Sequence, residues 1–285
     1  MSADARALPP GSCDCHMHVF DARFAGLPGA LLRDAPVATY RQMAASLGIA
    51  RNVIVQPSGY GFDNACTLDA LATMGPQARA IVVIPPASPQ AELQRLHAAG
   101  VRGVRFMMLR PGGLGWEAMP RMADDVAPLG WHLNLQFDGH ALPQHASALR
   151  ALPVDLVIDH VGAFHDGARA DDEGFRALLG LMESGRVWVK LSAPYAYRMS
   201  RSGPPDYPEV GSLARTLARA FPQRCLWASD WPHVTEATPP SDRALLDAFE
   251  RWVDDPDARQ RILVDNPAHL YGFDPLHDEH SRDPA

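Results

Sequence analysis

The run Cys13-Asp14-Cys15-His16-Met17-His18-Val19-Phe20 places two imidazoles two residues apart in a stretch that reads as a β-strand. A strand alternates its side chains, which predicts Asp14, His16 and His18 on one face and Cys13, Cys15, Met17 and Val19 on the other. Two imidazoles at that spacing can converge on one point in front of the strand. A neutral imidazole there serves as a metal ligand or as a hydrogen-bonding partner for a substrate oxygen. The same pair also suits an ordinary strand with satisfied histidines, so the chemistry depends on what the chain brings up to it.

Eight short apolar runs follow one another, at residues 12–18, 52–56, 79–84, 103–107, 132–136, 155–159, 186–190 and 224–228. Several are continuously apolar, among them Val53-Ile54-Val55, Ile81-Val82-Val83-Ile84 and Leu156-Val157-Ile158, as strands buried on both faces of a parallel sheet are. Amphipathic segments lie between them. Tyr40, Met43 and Leu47 keep helical spacing up to Gly48, and Leu213, Leu217 and Phe221 do so up to Pro222. Ser88 is placed to cap a helix with Pro89 at its first position, Leu93 and Leu96 on one face and Gly100 at its end. Strand and helix alternating eight times predict an α/β fold, a single (β/α)8 TIM barrel over residues 1–285 with a short N-terminal extension and a frayed polar tail at 277–285. The competing doubly wound sheet lacks its glycine-rich nucleotide fingerprint after the first strand.

Composition removes several functions. A net charge of −7 and scattered arginines give no basic stripe for nucleic acid. No apolar run reaches the roughly 20 residues of a membrane span, and residues 1–11 hold no signal-peptide core, which together predict a cytoplasmic protein acting on a small molecule. Homo-oligomerisation stays open. Cys13, Cys15, Cys66 and Cys225 show no zinc-finger spacing, and neighbours on one strand make poor disulfides, so reduced buried thiols are expected. Lys190 is the only lysine of the chain, a usage that codon bias explains more simply than function.

In such a barrel the site forms at the C-terminal strand ends, and the polar residues fall there. Strand 1 ends in His16 and His18, strand 2 in Gln56-Pro57-Ser58, and strand 4 carries Arg105 with Arg110 beyond. Strand 5 offers Gln136 and Asp138, strand 6 Asp159-His160, and strand 7 leads from Lys190 to Ser192, Tyr195, Tyr197, Arg198 and Arg201. Strand 8 ends in Ser229-Asp230-Trp231-Pro232-His233. Taken singly, the aspartates suit helix caps and the arginines suit solvent. The joint pattern of histidines at the first and sixth ends and an aspartate at the eighth points to one shared site.

That pattern resembles the amidohydrolase superfamily over nearly the whole chain, and within it the amidohydrolase-2 branch of pyrone dicarboxylate lactonases, sugar-acid lactonases and galactarolactone isomerases. The resembling stretches are Asp14-Cys15-His16-Met17-His18, Val55-Gln56-Pro57-Ser58, Asp63-Asn64, residues 100–106, Ile158-Asp159-His160-Val161-Gly162, residues 187–192 and Ser229-Asp230-Trp231-Pro232-His233. The resemblance implies that His16, His18 and His160 polarise a carbonyl, that Asp230 activates water, and that Ser58 and Arg105 meet substrate oxygens or carboxylates. Gln136, Tyr195, Arg198 and His233 complete the expected substrate contacts. Two departures stand out. Strand 4 offers Arg105, Phe106 and Met107 where metal-rich members carry a lysine or glutamate, and Ala163 stands where the pyrone lactonases carry an arginine. Arg198 or Arg201 is the expected substitute for that charge.

Ring opening of a carboxylated or sugar-acid lactone, with no metal required, is therefore the expected activity. The alternatives are a metal-dependent decarboxylase of the same fold, with one Zn²⁺ or Mn²⁺ on His16, His18, His160 and Asp230, and a lactone isomerase.

Overall fold

The computed structural model describes residues 7–109, 113–167 and 169–274. The expectations for Arg110 and for the tail at 277–285 lie outside these residues. Among the described residues, eight parallel strands run as β1 (Cys13–Met17), β2 (Arg51–Val55), β3 (Ala78–Val82), β4 (Val101–Met107), β5 (His132–Gln136), β6 (Leu156–Ile158), β7 (Val187–Leu191) and β8 (Cys225–Trp227). Each pairs with its neighbour in sequence order. The seam between β8 and β1 is drawn together at the mouth, where His18 N–H donates to Trp231 O at 2.8 Å and Asp230 N–H to His16 O at 2.9 Å. This is a (β/α)8 barrel, and the neighbour order excludes the doubly wound sheet.

The outer ring follows one helix per strand: α1 (Val37–Leu47), α2 (Ala65–Met74), α3 (Gln90–Ala99), α4 (Met119–Val126), α5 (Leu142–Ala151), α6 (Glu173–Met182), α7 (Pro208–Ala220) and α8 (Asp242–Trp252). Helix α1 stops where its sequence predicts, at Gly48 in the left-handed region (φ 80°), whose N–H reaches back to Ala44 and Ala45 carbonyls. Helix α3 departs from expectation. Pro89 occupies the cap position and Gln90 opens the helix, while the Ser88 hydroxyl turns back to Pro85 O at 2.7 Å.

Strand residues sort into two packed layers. Val53, Val55, Leu226 and Ala228 meet Trp188 inside the barrel. Ile54, Cys225 and Trp227 face the helices with Tyr40, Leu93 and Leu213. Two short helices, α9 (Pro256–Gln260) and α10 (Asn266–Tyr271), then carry Tyr271 and Phe273 into the interior layer. Arg79 holds that end in place, donating to Tyr271 O at 3.1 Å and lying 4.6 Å from the Phe273 ring centroid.

Strand β1 breaks the expected alternation. Its register against β2 shifts between Asp14 and Met17, as a bulge does when it inserts an extra residue. Cys13 and Cys15 belong to the interior layer and Met17 and Val19 to the outer one. Asp14 does not share a face with His16. It turns to the helix layer, where its carboxylate accepts from Tyr40 at 3.1 Å, from Ser229 Oγ at 2.5 Å and from Ser229 N–H at 2.9 Å. Asp14 thus fastens β1 to the end of β8 and leaves both histidines to the mouth. All four cysteines are buried and unpaired.

Candidate active site at the barrel mouth

Four groups converge at the C-terminal end of the barrel. His16, His18 and His160 each set Nε2 3.8–3.9 Å from Asp230 Oδ1, and the Nε2 atoms of His16 and His18 lie 3.3 Å apart. The backbone bends sharply to deliver two of them. His160 (φ 52°) and Asp230 (φ 63°) occupy the left-handed region, which costs a non-glycine residue roughly 1–2 kcal/mol and is a cost that functional positions often carry. Each ring has a partner behind it. His18 Nδ1 lies 2.7 Å from Val55 O, His160 Nδ1 3.0 Å from Ser192 Oγ, and His16 Nδ1 3.0 Å from Lys190 Nζ and 3.3 Å from Asp159 Oδ1. A carbonyl only accepts, so His18 carries its proton on Nδ1 and presents a lone pair at Nε2.

Below the rings sits a charged floor, to which β5 adds Asn134, a residue the sequence analysis does not single out. Lys190 and Asp159 pair at 3.0 Å, Asn134 bridges them, and both charged side chains are completely enclosed. Burial alone would raise the Asp159 carboxyl, yet Lys190 and His16 hold it well below the carboxylate range. Burial, with Lys190 beside it, pushes His16 well below its ordinary value, and burial beside Arg105 pushes His18 down to about 4, so both rings are neutral at pH 7. Burial also works against ionised Asp230, and the surrounding imidazoles, led by His160, more than offset it.

A cavity of about 480 Å³ opens in front of this cluster. His18, His160 and Asp230 reach its wall, as do Ser58, Arg105 and Gln136, while His16 is enclosed behind them. Arg105 is held by Gln56 O and Gln136 Oε1, each at 2.6 Å. The other expected contacts lie elsewhere. Arg198 is exposed and paired with Asp166, and Arg201 reaches the Asp166 carbonyl; neither lines the cavity. Tyr195 and His233 stand behind Asp230 rather than in the cavity wall. The Tyr195 hydroxyl donates to Asp230 Oδ2 at 2.8 Å and lies 2.7 Å from His233 Nδ1, and His233 Nε2 lies 3.0 Å from Asp242. Tyr197, which the sequence reading left without a role, lines the cavity and accepts from Gln136 at 2.8 Å.

Histidines on and just after β1 and after β6, with an aspartate after β8, form the arrangement that the resemblance implied, and residues 13–273 match the Amidohydrolase family. The chain belongs to the amidohydrolase family. It is 35% identical to a 2-pyrone-4,6-dicarboxylate hydrolase of Comamonas testosteroni, over 93% of this chain and 91% of the relative. A D-galactarolactone isomerase of Agrobacterium fabrum is 33% identical over 95% and 94%, and a 4-sulfomuconolactone hydrolase of Hydrogenophaga intermedia 35% over 93% and 90%. An amidohydrolase of Burkholderia multivorans solved with bound zinc shares the fold, with a TM-score of 0.74 at 21% identity over 94% of this chain and 100% of the other.

Amidohydrolases of this fold raise the question of a metal. In distance the group fits one: His16, His18 and Asp230 cluster tightly, and 3.3 Å between Nε2 atoms is about the ligand spacing around tetrahedral zinc with Zn–N near 2.0–2.1 Å. In hydrogen-bond polarity the fit turns on the His16 tautomer. Two neutral imidazole nitrogens at 3.3 Å attract one another only when one bears a proton, whereas an ion requires a lone pair from each.

Proposed function

We propose that this amidohydrolase opens the ring of a carboxylated or sugar-acid lactone by hydrolysis, with Asp230 as the base and no metal in the chemical step. The observation that carries this reading is the place of Asp230 Oδ1, ionised at the cavity wall and encircled by three imidazole nitrogens at 3.8–3.9 Å. Asp230 accepts a proton from water as the water oxygen attacks the lactone carbonyl carbon. The ring C–O bond then breaks, the ring oxygen takes the proton back from Asp230, and the product is a hydroxy acid that releases its carboxyl proton. The donor at the carbonyl is narrower than the three imidazoles of the sequence reading. His18 has its proton on the far nitrogen and His16 is enclosed, so the oxyanion donor is assigned to His160, which offers Nε2–H in the tautomer whose Nδ1 accepts from Ser192. A preorganised donor of this kind contributes roughly 3–4 kcal/mol. Arg105, fixed by Gln56 and Gln136, takes the substrate carboxylate. Two hydrolases of carboxylated or sulfonated lactones among the relatives support the reading, and the buried free thiols support a cytoplasmic setting.

A panel of lactones followed by proton release, on protein stripped with a chelator and analysed for metal, tests this directly. Hydrolysis releases one proton per turnover at full rate after stripping. Interconversion of lactones without proton release points to the isomerase, and CO₂ release restored by Zn²⁺ or Mn²⁺ points to the decarboxylase.

A further inference from the structure

Lys190 is the buried group that the ring-opening scheme leaves unused. Its ammonium meets Asn134 Oδ1 at 2.6 Å, Asp159 Oδ1 at 3.0 Å and His16 Nδ1 at 3.0 Å. An ammonium has three protons and no lone pair. Asn134 and Asp159 take two of them, and the third points at His16 Nδ1, which must accept it. On the far side, His18 donates from Nδ1 to Val55 O and so presents a bare Nε2 to His16 Nε2 at 3.3 Å. That contact needs a proton on His16 Nε2. Both neighbours therefore select one tautomer, and hydrogen-bond polarity runs from Lys190 through His16 and His18 to Val55.

The opposite tautomer would let His16 Nδ1–H donate to Asp159 Oδ1 at 3.3 Å. It would also set that N–H against the ammonium at 3.0 Å and turn two lone pairs toward each other at 3.3 Å. Yet that tautomer is what a metal-ligating histidine commonly adopts, with its second nitrogen donating to a carboxylate. Asp159 alone would support a ligand, and Lys190 reverses the polarity.

We propose that Lys190 is a positioning residue that fixes His16 in its Nε2–H form, so that a proton fills the place between His16 and His18 that a divalent cation would need. The pair then offers a cation one lone pair instead of two, and Asp230 Oδ1 keeps an N–H neighbour rather than a metal competing for it. Only the effect on turnover rests on the ring-opening reading; the tautomer and the metal affinity do not.

Wild-type protein and Lys190→Met, both labelled with ¹⁵N-histidine, are compared by long-range ¹H–¹⁵N correlation, which distinguishes the two tautomers, and by calorimetric titration with Zn²⁺ alone. The expected result is Nε2–H at His16 in the wild type and Nδ1–H in Lys190→Met, with zinc bound at least tenfold more tightly by the variant and kcat lowered more than KM is raised. Nδ1–H at His16 in the wild type overturns the proposal, and that spectrum decides even where the variant does not fold. An unchanged tautomer or unchanged zinc affinity in folded Lys190→Met overturns it equally. A protein that turns over no lactone leaves both of these readouts intact.

Discussion

The Tyr195 phenol oxygen lies 2.8 Å from Asp230 Oδ2, on the side of that carboxylate away from the encircling imidazoles. The hydroxyl donates to the carboxylate, favouring its charged form, while His233 and Asp242 hold the phenol from behind. Tyr195→Phe removes that donor from a base that must be ionised before each turnover. We expect kcat to fall about 10–100-fold, the equivalent of a hydrogen bond to a charged group worth roughly 1.5–3 kcal/mol. The acidic limb of the rate profile moves to higher pH, because the Asp230 carboxyl rises without the donor. A profile superimposable on the wild type would assign Tyr195 a packing role only.

Asp230→Asn keeps the shape of the side chain and cannot accept a proton from water. Turnover is expected to drop by about 10²–10⁴, with KM changed by less than about threefold. Activity within tenfold of wild type, measured by proton release, would transfer the base to another residue.

Arg105→Met tests carboxylate capture. The guanidinium is buried at the cavity wall, and its loss should raise KM about 10–100-fold with a smaller effect on kcat. Gln56 O and Gln136 Oε1 lose their donor as well, so a modest fall in Tm accompanies it. A large fall in Tm with KM unchanged would make Arg105 a structural residue.

Acidification should act on rate and on stability through overlapping groups, with His18 common to both. With His18 pushed down to about 4 and Asp230 below the ordinary carboxylate value, protonation of these two groups lowers kcat/KM only as pH drops through about 4. For stability, His18 and His132, pushed by burial to about 4 and about 3, stay neutral in the fold while the unfolded chain protonates below about 6.5. The unfolded state then binds more protons, so stability falls as pH drops from about 6.5 to about 4. Asp14, raised by burial to about 6, works the other way: its folded form keeps a proton that the unfolded chain has lost, a contribution that disappears as pH rises through about 6. The histidines outnumber it. Denaturant melts of His132→Asn should show a pH slope smaller by about one proton, or about 1.4 kcal/mol per pH unit. A slope equal to wild type would mean that His132 titrates normally in the fold.

The barrel was legible because strands buried on both faces carry continuous apolar runs. All eight expected strands overlap the observed ones, and the C-terminal ends where polar residues were noted do form the cavity wall. What escaped was set by contacts between distant segments. The bulge in β1 has no local signature, since Asp14 turns outward for Tyr40 and Ser229, far away in sequence. Arg198 reads like any loop arginine until Asp166 is seen beside it. Lys190, Asn134 and Asp159 did leave a trace: polar residues within or just past strands otherwise apolar must be satisfied by one another. Codon bias addresses the scarcity of lysine in the chain and says nothing of the place this one takes between Asp159, Asn134 and His16.

One amine in the whole chain besides the terminal one has a practical consequence. Lys190 is 0% exposed, so an amine-directed acylating reagent finds no side chain to modify while the barrel is closed. Each molecule that opens far enough to release β7 gains a single reactive site, and mass spectrometry counts it as one discrete increment. Slow, uniform acylation of Lys190 would therefore time the opening of the barrel itself, molecule by molecule, without any engineered label.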